Sequence, residues 1–162
     1  AWMARILARF TPEKVATLGR LGRFSDPGNT EYLTTVLEGR LERILERYLT
    51  RLSPLASVHV AGTDRLCAED LAATRHLRPD SSFRYEARLP DGAVLPVARQ
   101  TGTADVCVSL PHAPPLAGDA SRERTLRVTI TDGVARGPLV AHLYDLGPAG
   151  GFHLVGLERP EP

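Results

Sequence analysis

The hydrophobic period of the chain changes once, at Ser53-Pro54, and the change separates two kinds of structure. Before it, apolar residues recur every three or four positions, the spacing of amphipathic helices. After it, they alternate in short runs broken by Pro, Gly and Asp, the pattern of strands and turns. The 162 residues suffice for one domain, or for a small domain with a helical segment attached.

The first part predicts three helices. Trp2, Ile6, Leu7 and Phe10 form the apolar face of a short one. In TPEKVATLGRLGR, Thr11 is the N-cap, Pro12 suits the first helical position and Glu13 suits the positive end of the dipole. Val15, Leu18 and Leu21 or Gly22 make the face of this second helix, with Gly22 as its C-cap. The third runs from about Asn29 to Leu52. Leu33, Leu37, Leu41, Ile44, Leu45, Tyr48, Leu49 and Leu52 share one broad face. Glu38, Glu42 and Glu46 form an acidic stripe outside it, and Arg43, Arg47 and Arg51 a basic one, close enough for pairs such as Arg43–Glu46. Narrow stripes of mixed sign read as a solvated helix face, not as a nucleic-acid or membrane surface. The SDPGN that precedes this helix reads as a turn and a cap, with Asp26 or Asn29 capping and Pro27 fixing φ. Arg20, Arg23 and Asn29, beside a helix start, are the candidates for an anion site, a weaker reading of the same stretch.

The second part predicts strands at 55–60, 82–89, 93–100, 104–110, 125–131, 138–146 and 152–158. Residues 63–77 read either as a short helix capped by Thr63 or Asp64, or as a loop with one helical turn around AEDLA. Asp91 and Asp132 precede glycines and are turn residues. Pro96 puts its strand at an edge. Residues 111–123 read as a long surface loop. Without helices of crossover length between them, the strands must pair mainly antiparallel. The expected fold is α+β: an N-terminal helical segment of two to three helices over 1–53, then an antiparallel β-sandwich of six to seven strands over 54–162, packed as one unit.

The net charge of +1 gives no reason to invoke nucleic acid or anionic lipid. Lys14 is the only lysine among 20 basic residues, a bias that fits a GC-rich genome. No apolar run approaches the roughly 20 residues that cross a bilayer, so no membrane insertion is expected. AWMARILARF carries Arg5 and Arg9 inside its apolar run, unlike a signal peptide, and reads as the interior of a longer chain. Its compartment is left open, a cell-envelope or secreted one being compatible with a signal further upstream. Cys67 and Cys107 are too far apart for a CxxC pair. They read as two small buried residues, with a disulfide, which would need an oxidising compartment, as the alternative.

The sequence lacks the Walker, dinucleotide, nucleophile-elbow and zincin motifs. No catalytic residue, metal set or cofactor is therefore assigned. The last hairpin offers the best geometric argument. Pairing Leu146 with Gly151 sets Tyr144 opposite His153 and His142 opposite Val155. His142, Tyr144 and His153 then share one face with Val140, Val155 and Leu157, while Leu139, Ala141, Leu143, Phe152 and Leu154 face the core. Two histidines without a carboxylate make a poor zinc site. The apolar neighbours favour a docking face, against the helices or an upstream region.

FTPEKVATLGRLGRFSDPGNTEYLTTVLEGRLERI resembles a segment near the C-terminus of large, poorly characterised bacterial proteins, and HLYDLGPAGGFHLVGLERP is similar to their β-rich tail. LEGRLERI stands where that family's pattern is more strongly basic. The resemblance implies a C-terminal accessory module, with a kinase-like or other separate module upstream, and it carries over no catalytic residue. Three functions follow as expectations. The first is a non-catalytic accessory or interaction module, with an upstream domain or another protein as partner. The second is a sandwich that binds glycan or peptide through loop 111–123 and the His142/Tyr144/His153 face. The third is a hydrolase with dispersed residues such as Asp64, Asp70, Asp105 or Asp119 beside a serine.

Overall fold

A computed structural model describes residues 2–79, 82, 84–99, 103–112, 124–134 and 137–160. Three helices come first: α1 (Trp2–Leu7), α2 (Pro12–Leu21) and α3 (Pro27–Leu49). The strands β1 (Leu55–Ala61) and β2 (Arg65–Asp70) lead into a single helical turn, α4 (Leu71–Thr74). Then follow β3 (Glu86–Arg88), β4 (Val94–Leu95), β5 (Val97–Arg99), β6 (Asp105–Ser109), β7 (Thr125–Thr131) and β8 (Leu139–Asp145). The turn α5 (Gly147–Gly150) precedes β9 (Phe152–Glu158). The fold is α+β, helical at the N-terminus and β-rich after it.

Two antiparallel sheets face each other, in the orders β1-β2-β6-β5 and β4-β3-β7-β8-β9. Their inner faces share one apolar core. Leu66, Ala68, Val106 and Val108 come from one side; Val128, Ile130, Leu139, Ala141 and Leu143 come from the other. One chain segment serves both sheets. Leu95 pairs with Ala87 in the five-stranded sheet, and Val97 pairs with Val108 in the four-stranded one. The crossing falls at Pro96, which has no N–H to offer either ladder, while its carbonyl accepts from Ser109 N at 3.0 Å. Both β4 and β5 are edge strands, as the proline predicts. At the opposite side β1 and β9 lie against each other. Arg159 Nη2 donates to Leu55 O at 3.1 Å, and Gly151 sits against Thr63 so closely that a Cβ would lie 3.0 Å from its backbone.

The nine strands among the described residues exceed the expected six or seven for two reasons. The run 93–100 divides at Pro96, and residues 65–70 form a strand where a helix or loop was expected. Asp70 explains where that strand stops. Its Oδ1 accepts from the N–H groups of Ala72 and Ala73 at 2.9 and 3.0 Å, so the carboxylate caps one turn and no more. The cysteines are the second correction. Cys67 and Cys107 are direct cross-strand partners in β2 and β6, Cα atoms 4.1 Å apart, and they form a disulfide. Sequence distance hid a contact that the register creates.

The helices pack at one end of the sandwich instead of covering a sheet. Ala4, Ala8, Val15, Leu41, Leu45 and Leu49 meet Ala56 and the α4 residues Leu71, Ala72 and Ala73 in a second core. The buried faces differ from those expected. In α1 Ala4 is inside, as is Ala8 just after the helix, while Trp2 and Ile6 are exposed. In α2, Val15 and Gly19 are inside while Leu18 and Leu21 are exposed. Gly19 allows a close approach, since a Cβ there would stand 2.5 Å from Thr34 Oγ1. Gly22 is the α2 C-cap, but in right-handed geometry; Arg23, with φ 47°, makes the left-handed turn. In α3 only Leu41, Leu45 and Leu49, at spacing i, i+4, are buried. This helix starts at Pro27, two residues before Asn29, because Asp26 caps it through Gly28 N at 2.8 Å.

Arginines pin the segments between the two cores by donating to backbone carbonyls. Arg5 Nη2 reaches Ser53 O at 3.3 Å, Arg75 Nη1 reaches Phe10 O at 3.2 Å, and Arg78 Nη2 reaches Thr50 O. Burial, and Arg159 close by, pull the Arg5 guanidinium down to about 10. Tyr85 touches both cores and donates its hydroxyl to Asp70 Oδ2 at 2.7 Å. Burial, then the Asp70 carboxylate, push the Tyr85 phenol well above its ordinary value.

Candidate functional site

The outer face of β7, β8 and β9 carries the polar chemistry of the last hairpin. Tyr144 pairs with His153 and Leu146 N bonds Gly151 O at 2.8 Å, as the hairpin argument requires. His142, however, lies opposite Gly156 and not Val155, because a bulge interrupts the register between His142 and Leu143. An extra residue in one strand shifts every later residue by one position and so to the other face. Glu158 is therefore paired with Val140, on the outer face. Its Oε1 lies 2.9 Å from His142 Nε2. The carboxylate thought missing from this face is present, and only the bulge brings it there. Among the described residues no three His, Cys, Asp or Glu side chains group as metal ligands.

The neighbouring strand completes the face. Thr125 pairs with Tyr144 and Arg127 with His142. Arg127, His142, Tyr144 and Glu158, with Val155, Gly156 and Pro90, line a groove of about 610 Å³. Gly156 leaves a gap directly opposite His142; a Cβ there would meet nothing within 4 Å. His142 and Tyr144 are half-buried and His153 is exposed. The helices, packed at the end of the sandwich, do not cover this face. His153 is beside Tyr144 in register but outside the groove lining.

Arg20 and Arg23 line a different, shallow groove of about 470 Å³ with Phe24, Pro27 and Thr34, and Asn29 is not part of its lining. Arg20 donates to Thr17 Oγ1 at 3.0 Å, and the Asp26 carboxylate already holds the helix start. Asp91 and Asp132 each accept from the backbone N–H two residues on, at 2.9 Å, as turn residues do. The expected ligand loop 111–123 lies outside the described residues from 113 onward.

Spacing gave no hint of one further pair. His112 Nδ1 lies 2.9 Å from Asp145 Oδ1, with the imidazole stacked on Phe152 at 4.7 Å between centroids. Asp145 is buried and also accepts from Gly147 N at 2.8 Å. No serine hydroxyl bonds His112 among the described residues, and both cysteines are held in the disulfide. The pair therefore ties the start of loop 111–123 to the last hairpin.

The apolar surface is concentrated elsewhere. On α3, Leu37, Ile44 and Tyr48 stand exposed along one stripe. Arg40 and Arg47 repeat that spacing three residues on and run beside it, with Arg51 just past the helix end, all three exposed and without ion-pair partners among the described residues. Arg43 donates to Gly39 O at 3.0 Å rather than pairing with Glu46. Glu38, Glu42 and Glu46 line a cleft against Arg75 and His76.

No family model matches the chain, and no curated protein or solved structure matches it.

Proposed function

We propose that this chain is a non-catalytic accessory module that docks a protein partner through the outer face of α3. The partner is an upstream domain of the same protein or another protein, presenting an apolar strip with acidic residues along one side. The observation that carries this reading is the exposed Leu37/Ile44/Tyr48 stripe bordered by Arg40, Arg47 and Arg51. Exposed apolar residues set in a row beside one sign of charge are the makings of an interface. A second copy is a poor partner in the antiparallel arrangement, since a two-fold axis across the helix would set each arginine row against its own copy. The Cys67–Cys107 disulfide supports an oxidising setting, the cell envelope or outside the cell.

A photo-crosslinking residue in place of Tyr48, in the full-length protein in its own cells, tests the proposal. The expected result is one adduct of defined mass that disappears in Ile44→Glu. A cross-linker at Glu31, on another side of α3, should not form it. The same adduct from both positions, or one indifferent to Ile44→Glu in a folded protein, would sink the docking face.

A further inference from the structure

The groove on the outer face of the five-stranded sheet makes a separate case, independent of the helical face. We propose that it binds a small carboxylate ligand with an apolar body, the carboxylate seated on Arg127. Arg127, Thr125 and Tyr144 all line the groove, and beyond the ladder bonds of their backbones their side chains make no hydrogen bond among the described residues. The register puts Arg127 diagonal to Tyr144 on one face, within reach of a single small ligand. The acid of the groove, Glu158, is already engaged by His142, so the guanidinium is left to pair with an outside anion.

A planar guanidinium matches a carboxylate with two parallel hydrogen bonds, and the Tyr144 and Thr125 hydroxyls can add to them. Val155 and Pro90 supply apolar lining, and the gap at Gly156 leaves room for the body of the ligand. A groove of about 610 Å³ lies within the range of small-molecule sites. The bulge that builds it belongs to a class of irregularities that gathers beside functional sites.

NMR titration of the isotope-labelled protein tests this, with N-acetyl-L-leucine as the acid and N-acetyl-L-leucinamide as its neutral match. The acid should give saturable shifts at the Arg127 Nε–H and at the Tyr144 and Gly156 amides. The amide should bind roughly tenfold more weakly or worse, the loss of one charge-assisted contact. Arg127→Gln, at an exposed position, should melt at the same temperature as the parent and lose the same factor. Equal affinity for the neutral amide, unchanged affinity in Arg127→Gln, or no saturable shift at tens of millimolar would overturn the proposal. D-glucuronate is the third arm. Its binding more tightly than N-acetyl-L-leucine would overturn the apolar body and assign the acid to a sugar.

Discussion

The two cores of this protein are built from different material. The sandwich core is made of Leu, Val and Ile from two sheets that interdigitate, with the disulfide between its central strands. The helical core is made largely of alanines around Leu41, Leu45 and Leu49. Most of the other large apolar residues of the helical part lie outside. Trp2 is 69% exposed, Leu21 69% and Tyr32 74%, and the Leu37/Ile44/Tyr48 stripe joins them. Exposed apolar side chains also occur singly on the sandwich, such as Leu146 and Val155, but the exposed aromatics Trp2, Phe24, Tyr32 and Tyr48 all belong to the helical part. The sandwich carries the cross-link, and the helical layer carries the stripe that the proposed partner would cover.

The sharpest way to break that comparison is to remove the cross-link of the sandwich. Replacing Cys67 and Cys107 by serine opens a link that spans a sequence separation of 40. By loop entropy this should cost about 4 kcal/mol. Urea melts followed by tyrosine fluorescence and by helical circular dichroism should both shift. Leu45→Ala comes next, at roughly 3 kcal/mol for a large-to-small change at a fully buried site. Here the helical signal should be lost at lower urea than the β signal. Coincident loss would show that the two cores are one cooperative unit.

Smaller effects probe the seam. Tyr85→Phe removes the hydroxyl bond to Asp70 and should cost about 1 kcal/mol near neutral pH. Folding holds the phenol protonated above its ordinary value of 10.0, so the stability of the parent falls as pH rises past that value, where only the unfolded chain ionises. The variant should lose this part of the alkaline decline, measured as urea midpoints from pH 8 to 11. Asp26→Ala removes the α3 cap and should cost about 1 kcal/mol, with groove binding unchanged in the folded protein. Ile44→Glu should shift stability by no more than about 0.5 kcal/mol, as surface changes do, while abolishing the docking adduct.

Much of the fold was legible because period and turn chemistry are local. The break at Ser53-Pro54, the Asp91 and Asp132 turns, Pro96 as an edge marker and the Tyr144–His153 pairing all came from short spacings. What stayed hidden depends on partners distant in sequence. A helical wheel shows that Leu37, Ile44 and Leu45 share a face, but not that α1 and α2 cover only part of it. Alternation cannot announce a bulge, so no carboxylate was expected on the face of His142, where Glu158 stands. The disulfide and the His112–Asp145 pair follow from strand order, which no spacing encodes. Arg127 could have been found, since it alternates outward from Val128 in a strand whose position was known.

The crossing at Pro96 has a consequence for crowding. Long unpaired strand edges invite other chains to add on. Here one pair of edges is reduced to two short pieces of a single turning segment, and the other pair is folded against itself. The sandwich thus offers strangers little backbone to recruit, at high concentration or during synthesis. Encounters that do succeed have to recognise side chains.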